Sequence, residues 1–262
     1  MHLGMPTLIE NKNLEENAKL CYELGLDFLE LNMNLPMFQL NQLSDTKKLE
    51  SIAKEYHIYY TIHLDENCNI TDFNPDVAQA YQNTVIGVIR VAKVLEIPLL
   101  NLHLNKGVYF TLPHKKIYLL EQYREWYLQK IREFRDRCQA EIGSSPLLIS
   151  IENTDGYCTF QLEAIASFLE SKAFSLTWDI GHSHAAGKTD EPFLLEHKNR
   201  LVHFHMHDAL EHKNHLALGT GEINLRDKFA LAQELGTRCV LETKTIEGLR
   251  RSVRWVHENG IG

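Results

Sequence analysis

The chain has 262 residues, and its 44% hydrophobic and 24% charged content is ordinary for a soluble globular protein. With 27 basic against 35 acidic side chains the formal charge is −8, which counts against a DNA partner. No apolar run approaches the roughly 20 residues needed to cross a bilayer, which argues against a membrane protein. Five scattered cysteines without a CxxC pair (Cys21, Cys68, Cys138, Cys158, Cys239) read as reduced thiols in a cytoplasmic protein, and the opening MHLGMPTLIE lacks the basic and apolar regions of a signal peptide.

In chain order, one theme repeats: a helical pattern, a short break, then an apolar run with β character. HLGMP opens as a first strand. ENAKLCYELG leads into LDFLELN, KKLESIAKEY into HIYYTIHL, and IGVIRVAKVLEI into PLLNLHL. A long helical pattern over 116–141 passes through GSSP into LLISIEN. FQLEAIASFLES leads into FSLTWDI, a short helix near 190–198 into LVHFHMH, and LRDKFALAQELG into TRCVLETK. TIEGLRRSVRWVHE closes as the last helix. Gly25 and Gly236 sit where helix C-caps belong. Eight strands alternating with eight helices predict one domain over 1–262, an α/β fold of the (β/α)₈ TIM-barrel type. A doubly wound open sheet is the rival, but no glycine-rich phosphate loop follows the first strand. The most basic stretch, KIREFRDR at 130–137, alternates its signs as a solvated helix face does.

Alternate residues of a strand share a face. The third strand then pairs Thr61 with His63, the fourth Asn101 with His103, the fifth Ser150 with Glu152 and the sixth Thr177 with Asp179. The seventh puts His203, His205 and His207 together, and the eighth aligns Val240 with Glu242. Six consecutive strands thus end in a residue that ligates metals, at the edge where barrels carry their sites. Imidazole nitrogens and carboxylate oxygens suit Zn²⁺, Mn²⁺, Co²⁺ or Fe²⁺. Converging carboxylates repel unless a cation joins them. The set is His63, His103, Glu152, Asp179, His205 and Glu242, with His182 in WDIGHSH and His215 in NHLALGTGE added from loops.

Each residue alone has a plainer reading. His203 lies deeper than His205 and is expected to pack or to support it. Glu30 also points inward, and is expected to hold a loop. His2 is expected to be structural, and Gly219 and Gly221 in LGTGE to make a turn rather than a phosphate loop.

With these residues assembled, the chain resembles the xylose isomerase-like barrel superfamily, which includes endonuclease IV and many sugar isomerases and epimerases. The motifs that carry the likeness are SIENT at 150–154, TWDIGHSHAAG at 177–187, HMHDA at 205–209, HLALGTGE at 215–222 and VLET at 240–243. In isomerase and epimerase members, the resemblance implies one metal held by Glu152, Asp179, His205 and Glu242. In the endonuclease IV type it implies three zincs. His63, His103 and Glu152 would hold the first, and Glu152, Asp179, His205 and Glu242 the second. His182 and His215 would hold the third, whose remaining ligand, an aspartate, is replaced here by Lys213. Epimerase members also carry an arginine six residues after the strand-seven histidine, where this chain has Glu211.

The leading expectation is a divalent-metal-dependent isomerase or epimerase of a small sugar or sugar phosphate, with one to three ions. Proton transfer would run between Glu152 or Glu242 and an enediolate held at the metal, with His182 on a substrate oxygen. The alternative is a zinc phosphoester hydrolase acting on a small or nucleotide-like substrate. Lys213 is expected to leave the third metal site incomplete and, in an isomerase of a phosphorylated sugar, to meet a substrate phosphate or hydroxyl. A small-molecule substrate is expected in either case, and self-association into a homo-oligomer stays open.

Overall fold

Short β runs buried on both faces need helices outside and side chains inside, and closing the sheet on itself removes its edges. The computed structural model describes residues 1–261 and shows this solution. The barrel strands are β1 (His2–Pro6), β2 (Phe28–Asn32), β3 (Tyr59–His63), β4 (Leu99–His103), β5 (Leu148–Glu152), β6 (Phe174–Asp179), β7 (Leu201–Met206) and β8 (Arg238–Leu241). They close in sequence order, β1 pairing with both β2 and β8, and every pair is parallel. The main outer helices are α1 (Leu14–Glu23), α2 (Thr46–Tyr56), α3 (Pro75–Val94), α4 (Arg124–Ile142), α5 (Thr159–Leu169), α6 (Glu191–Glu196), α7 (Leu225–Leu235) and α8 (Ile246–Glu258). This is a single-domain (β/α)₈ barrel. No helix among the described residues is long and apolar enough to cross a membrane.

The alternation read from the sequence separates two interiors. Leu29, Leu31, Ile62, Leu100, Ile151, Leu176, Phe204 and Met206 are buried and pack between sheet and helices. The barrel lumen takes the other parity and is unusually polar: Glu30, Thr61, Asn101, Ser150, Thr177 and His203 are all buried. Phe28 plugs the lower end, stacked on Tyr59 at 5.2 Å. A Cβ on Gly4 would lie 2.5 Å from the Phe28 ring, so β1 needs glycine there. Register then sets the heights. His103 pairs with Glu152, and Asp179 with His205, so ligand-type residues on neighbouring strands sit level at the upper edge.

The structure departs from the sequence reading in three places. Helix α3 begins eleven residues before the apolar run starting at Ile86, because Asn74 caps the amide of Asp76 and Pro75 fills the first turn. Its first turns are largely solvent-facing, so no apolar stripe marks them. Residues expected to open the long helix, Lys116 to Tyr118, instead pair with Tyr109–Phe110–Thr111 in an antiparallel hairpin. A second hairpin joins Asp208–Leu210 to Lys213–Leu216 above β7.

Candidate metal centre

Strand β7 carries His205 into the centre of the upper lumen, where it is fully buried. Its Nδ1 faces Glu242 at 2.9 Å, Glu152 at 3.2 Å and Asp179 at 3.8 Å. One ligand atom from each of these four residues falls within a common 4.8 Å. Glu152 comes from the end of β5 and Asp179 from the end of β6. Glu242 lies one residue beyond β8, where its amide still bonds the carbonyl of Met206 at 3.0 Å. His63 and His103 bring Nε2 to within 3.3 and 3.1 Å of Glu152 Oε2. The six strand-end residues therefore meet in one place.

The loop residues meet beside them. His182 lies in the first turn of the short helix Ile180–Ala185, which Asp179 caps by accepting the His182 amide at 2.6 Å. His215, on the second hairpin, reaches Glu242 at 3.4 Å, and its ring lies 4.9 Å from that of His182. Lys213 lies on the same hairpin, exposed and paired in register with Leu210.

The charges explain each other. Burial would raise the carboxyl of Glu152, but His205 and His103 outweigh it and hold the group well below the usual carboxylate range. Glu242 is held low against burial in the same way, by His205, His215 and Lys244. Burial opposes charge on His205, yet Glu152, Glu242 and Glu30 push it well above an ordinary imidazole. His63 rises to about 9 against burial, through its hydrogen bond to Glu152 and the charges of Glu152 and Glu30. Three buried carboxylates thus demand positive charge.

The residues fit a divalent cation as the source of that charge. Both ring nitrogens of His205, and Nε2 of His103, are buried without an in-line hydrogen bond, although carboxylate oxygens lie about them. His63 is fixed as a ligand is: its Nδ1 donates to the carbonyl of Leu64 at 2.8 Å, which leaves the Nε2 lone pair facing Glu152. A lone pair against a carboxylate is tolerable only if a proton or a metal stands between them.

Comparison with known proteins agrees with this architecture. The model of the family described as xylose isomerase-like TIM barrel matches residues 18–259. The chain belongs to that family. No curated protein matches it. Among solved structures it is similar to a D-tagatose 3-epimerase-like protein, with a TM-score of 0.79 and 20% identity over 98% of this chain and 96% of that one. A 3-keto-D-glucoside 4-epimerase from E. coli gives 0.77 at 15% identity, covering 98% and 99%. An IolI protein with a bound zinc atom gives 0.75 at 14%, covering 100% and 97%. At these identities the likeness is one of fold.

Five residues around the centre were undervalued in the sequence. Glu30, expected to hold a loop, lies beneath His205, with Oε1 2.9 Å from His205 Nε2 and Oε2 3.0 Å from His203 Nε2. Thr61 donates to the same carboxylate at 2.8 Å. Asn101 donates to Glu152. Asn153 clamps the backbone of Asp179, donating to its carbonyl and accepting its amide, both at 2.8 Å. His207 contacts Asp179. Strand parity was the available signal for Glu30, Asn101 and His207. The LGTGE loop is the turn it was expected to be. The amides of Gly219 and Gly221 point at the buried carboxylate of Asp208, at 3.0 and 2.8 Å, and are not offered to a phosphate.

Proposed function

We propose that the chain is a divalent-metal-dependent isomerase or epimerase acting on a small sugar. The observation that carries this reading is the convergence of Glu152, from the end of β5, and Glu242, just beyond β8, each within 3.2 Å of His205 Nδ1. Two carboxyl groups at one ligand position can take a proton from a substrate carbon when ionised and return one when protonated.

A divalent cation held by Glu152, Asp179, His205 and Glu242, of the Zn²⁺, Mn²⁺ or Co²⁺ kind, would polarise a substrate carbonyl and so acidify the carbon beside it. The chain's own groups do the rest. Positive charge at the centre, on the histidines in the metal-free protein and on the cation when it is bound, favours the ionised carboxylates, the form that accepts a proton. One takes the proton from the carbon beside the carbonyl. That carboxyl, now protonated, returns the proton to the neighbouring carbon, or the other carboxyl, once it has taken a proton from solvent, gives one to the opposite face. His182, whose buried Nδ1 has no partner, donates to a substrate oxygen as negative charge grows there. Asn101 keeps Glu152 from turning away.

A cavity of about 660 Å³ with His103 in its wall opens beside the centre. Asn67, Asn69, Asn105, Lys106 and Lys116 also line it, a polar surface suited to a polyhydroxylated molecule. Lys106 is paired with Asp155 at 2.6 Å, which mutes its charge toward an anion.

One observation favours a second reading. His63 and His103 both approach Glu152, as they would to hold a further metal in a phosphoester hydrolase. Solvent-deuterium exchange into ketoses, with metal content measured on the same samples, separates the two. Exchange at the carbon beside the carbonyl supports the isomerase, and release of alcohol from a phosphodiester supports the hydrolase.

A further inference from the structure

Asp179, His182, His207 and His215 bring ligand-type atoms within a common 4.8 Å and have the composition of a second metal site. Hydrogen bonding argues otherwise. A ligating imidazole gives a lone pair from one nitrogen and keeps its proton on the other. The backbone amide of His215 donates to Nδ1 of His207 at 2.8 Å, so Nδ1 must carry the lone pair. The carbonyl of Asp208 is farther from that nitrogen, at 3.4 Å. The proton therefore sits on Nε2, which lies 2.9 Å from Oδ1 and 3.0 Å from Oδ2 of Asp179. This is the reverse of His63, whose Nδ1 donates to a carbonyl.

We infer that His207 is a positioning residue, not a ligand: its Nε2–H orients the carboxylate of Asp179 toward the centre, while its Nδ1 latches the 208–216 hairpin over the same centre. The inference rests on the metal reading above, because Asp179 is taken as a ligand there.

Packing fixes the ring for this task. A Cβ at Gly181 would lie 2.0 Å from His207 Cε1, so the imidazole lies directly on the backbone of the Asp179–His182 turn. The ring of His215 stacks on it, with centroids 4.3 Å apart and planes 7° from parallel. Asp179 is thereby held three times, through the amide of His182, the clamp of Asn153 and the ring of His207. A shift of the hairpin moves His215 N, then His207, then a metal ligand. With His207 committed, His182 and His215 lack a full ligand set and remain available to substrate oxygens.

The test is NMR of the wild-type protein labelled with ¹⁵N-histidine and loaded with ¹¹³Cd²⁺. The expected spectrum shows ¹¹³Cd–¹⁵N coupling at His205 Nδ1, and a protonated, uncoupled Nε2 at His207. Coupling at His207 would overturn the inference alone. Failure to bind ¹¹³Cd²⁺ at all would overturn the metal reading with it. Two variants divide the roles, since the asparagine carbonyl reaches the Nδ1 position and the glutamine amide the Nε2 position. His207→Asn is expected to keep slow hydrogen exchange at the His215 amide and lose roughly 10–100-fold in Cd²⁺ affinity. His207→Gln is expected to speed that exchange and keep affinity within about threefold, well short of the loss of an orienting contact. Wild-type affinity in His207→Asn would contradict the proposal, and the wild-type spectrum decides it even if a variant fails to fold.

Discussion

His205 stands between two carboxylate layers, with Glu30 2.9 Å below its Nε2 and Glu242 2.9 Å from its Nδ1 above. The lower carboxylate cannot reach solvent, and burial would raise it, but His205 and His203 hold it below the ordinary carboxylate range. A carboxylate behind a ligating imidazole fixes its orientation and makes it a better donor. Glu30→Gln is therefore expected to lower Zn²⁺ or Co²⁺ affinity by roughly 10–100-fold, measured by competition with a chelating dye. Unchanged affinity would reduce Glu30 to a packing residue.

Glu152→Gln and Glu242→Gln nearly keep shape but remove both a charge and a proton acceptor. Each is expected to lose at least about a hundredfold in kcat, the usual worth of a positioned acid–base group. Near-normal turnover in both would place the chemistry elsewhere.

The pH dependence follows from the histidines. His63 rises from 6.5 in the unfolded chain to about 9. Its contribution to the metal-free fold is thus complete below pH 6.5 and is lost as pH rises through about 9. Glu152 is shifted the other way, so its contribution is present above 4.5 and lost as pH falls further. A cation held by Glu152, Asp179, His205 and Glu242 replaces the proton on His205 and disfavours the one on neighbouring His63, so its affinity climbs with pH. The gap in Tm between metal-loaded and metal-free protein should widen from pH 6.5 to 9. A constant gap would mean that no proton is displaced.

His63→Ala and His103→Ala separate the two proposed chemistries. In a single-metal isomerase they remove only neighbours of Glu152, and turnover should fall less than in Glu152→Gln, toward the lower end of the roughly 10–100-fold that a lost supporting contact costs. In a hydrolase they would remove ligands and be as damaging as Glu152→Gln. Steady-state rates of the three variants on one substrate decide this.

The barrel was legible because each strand is short, apolar on one parity and followed by a helical pattern. Parity also aligned His63, His103, Glu152, Asp179, His205 and Glu242 before any coordinates, since register and alternation place strand-end side chains almost by arithmetic. What parity could not supply was which nitrogen of a ring faces which neighbour. His207 and His205 share a face of one strand in the sequence, and only their hydrogen bonds separate a supporting ring from a ligand. The hairpin that carries Lys213 and His215 was not legible either, because it is short and largely unburied. The 109–118 hairpin was hidden because Tyr109, Phe110 and Leu112 are exposed, so no buried face imposed a pattern on them.

The most direct test is proton exchange in D₂O, followed by NMR, for the metal-loaded protein with a panel of ketoses and their phosphates. The account predicts deuterium at the carbon beside the carbonyl of at least one ketose. It predicts that a chelator or Glu152→Gln abolishes the exchange. No exchange with any ketose, together with alcohol released from a phosphodiester, would contradict it.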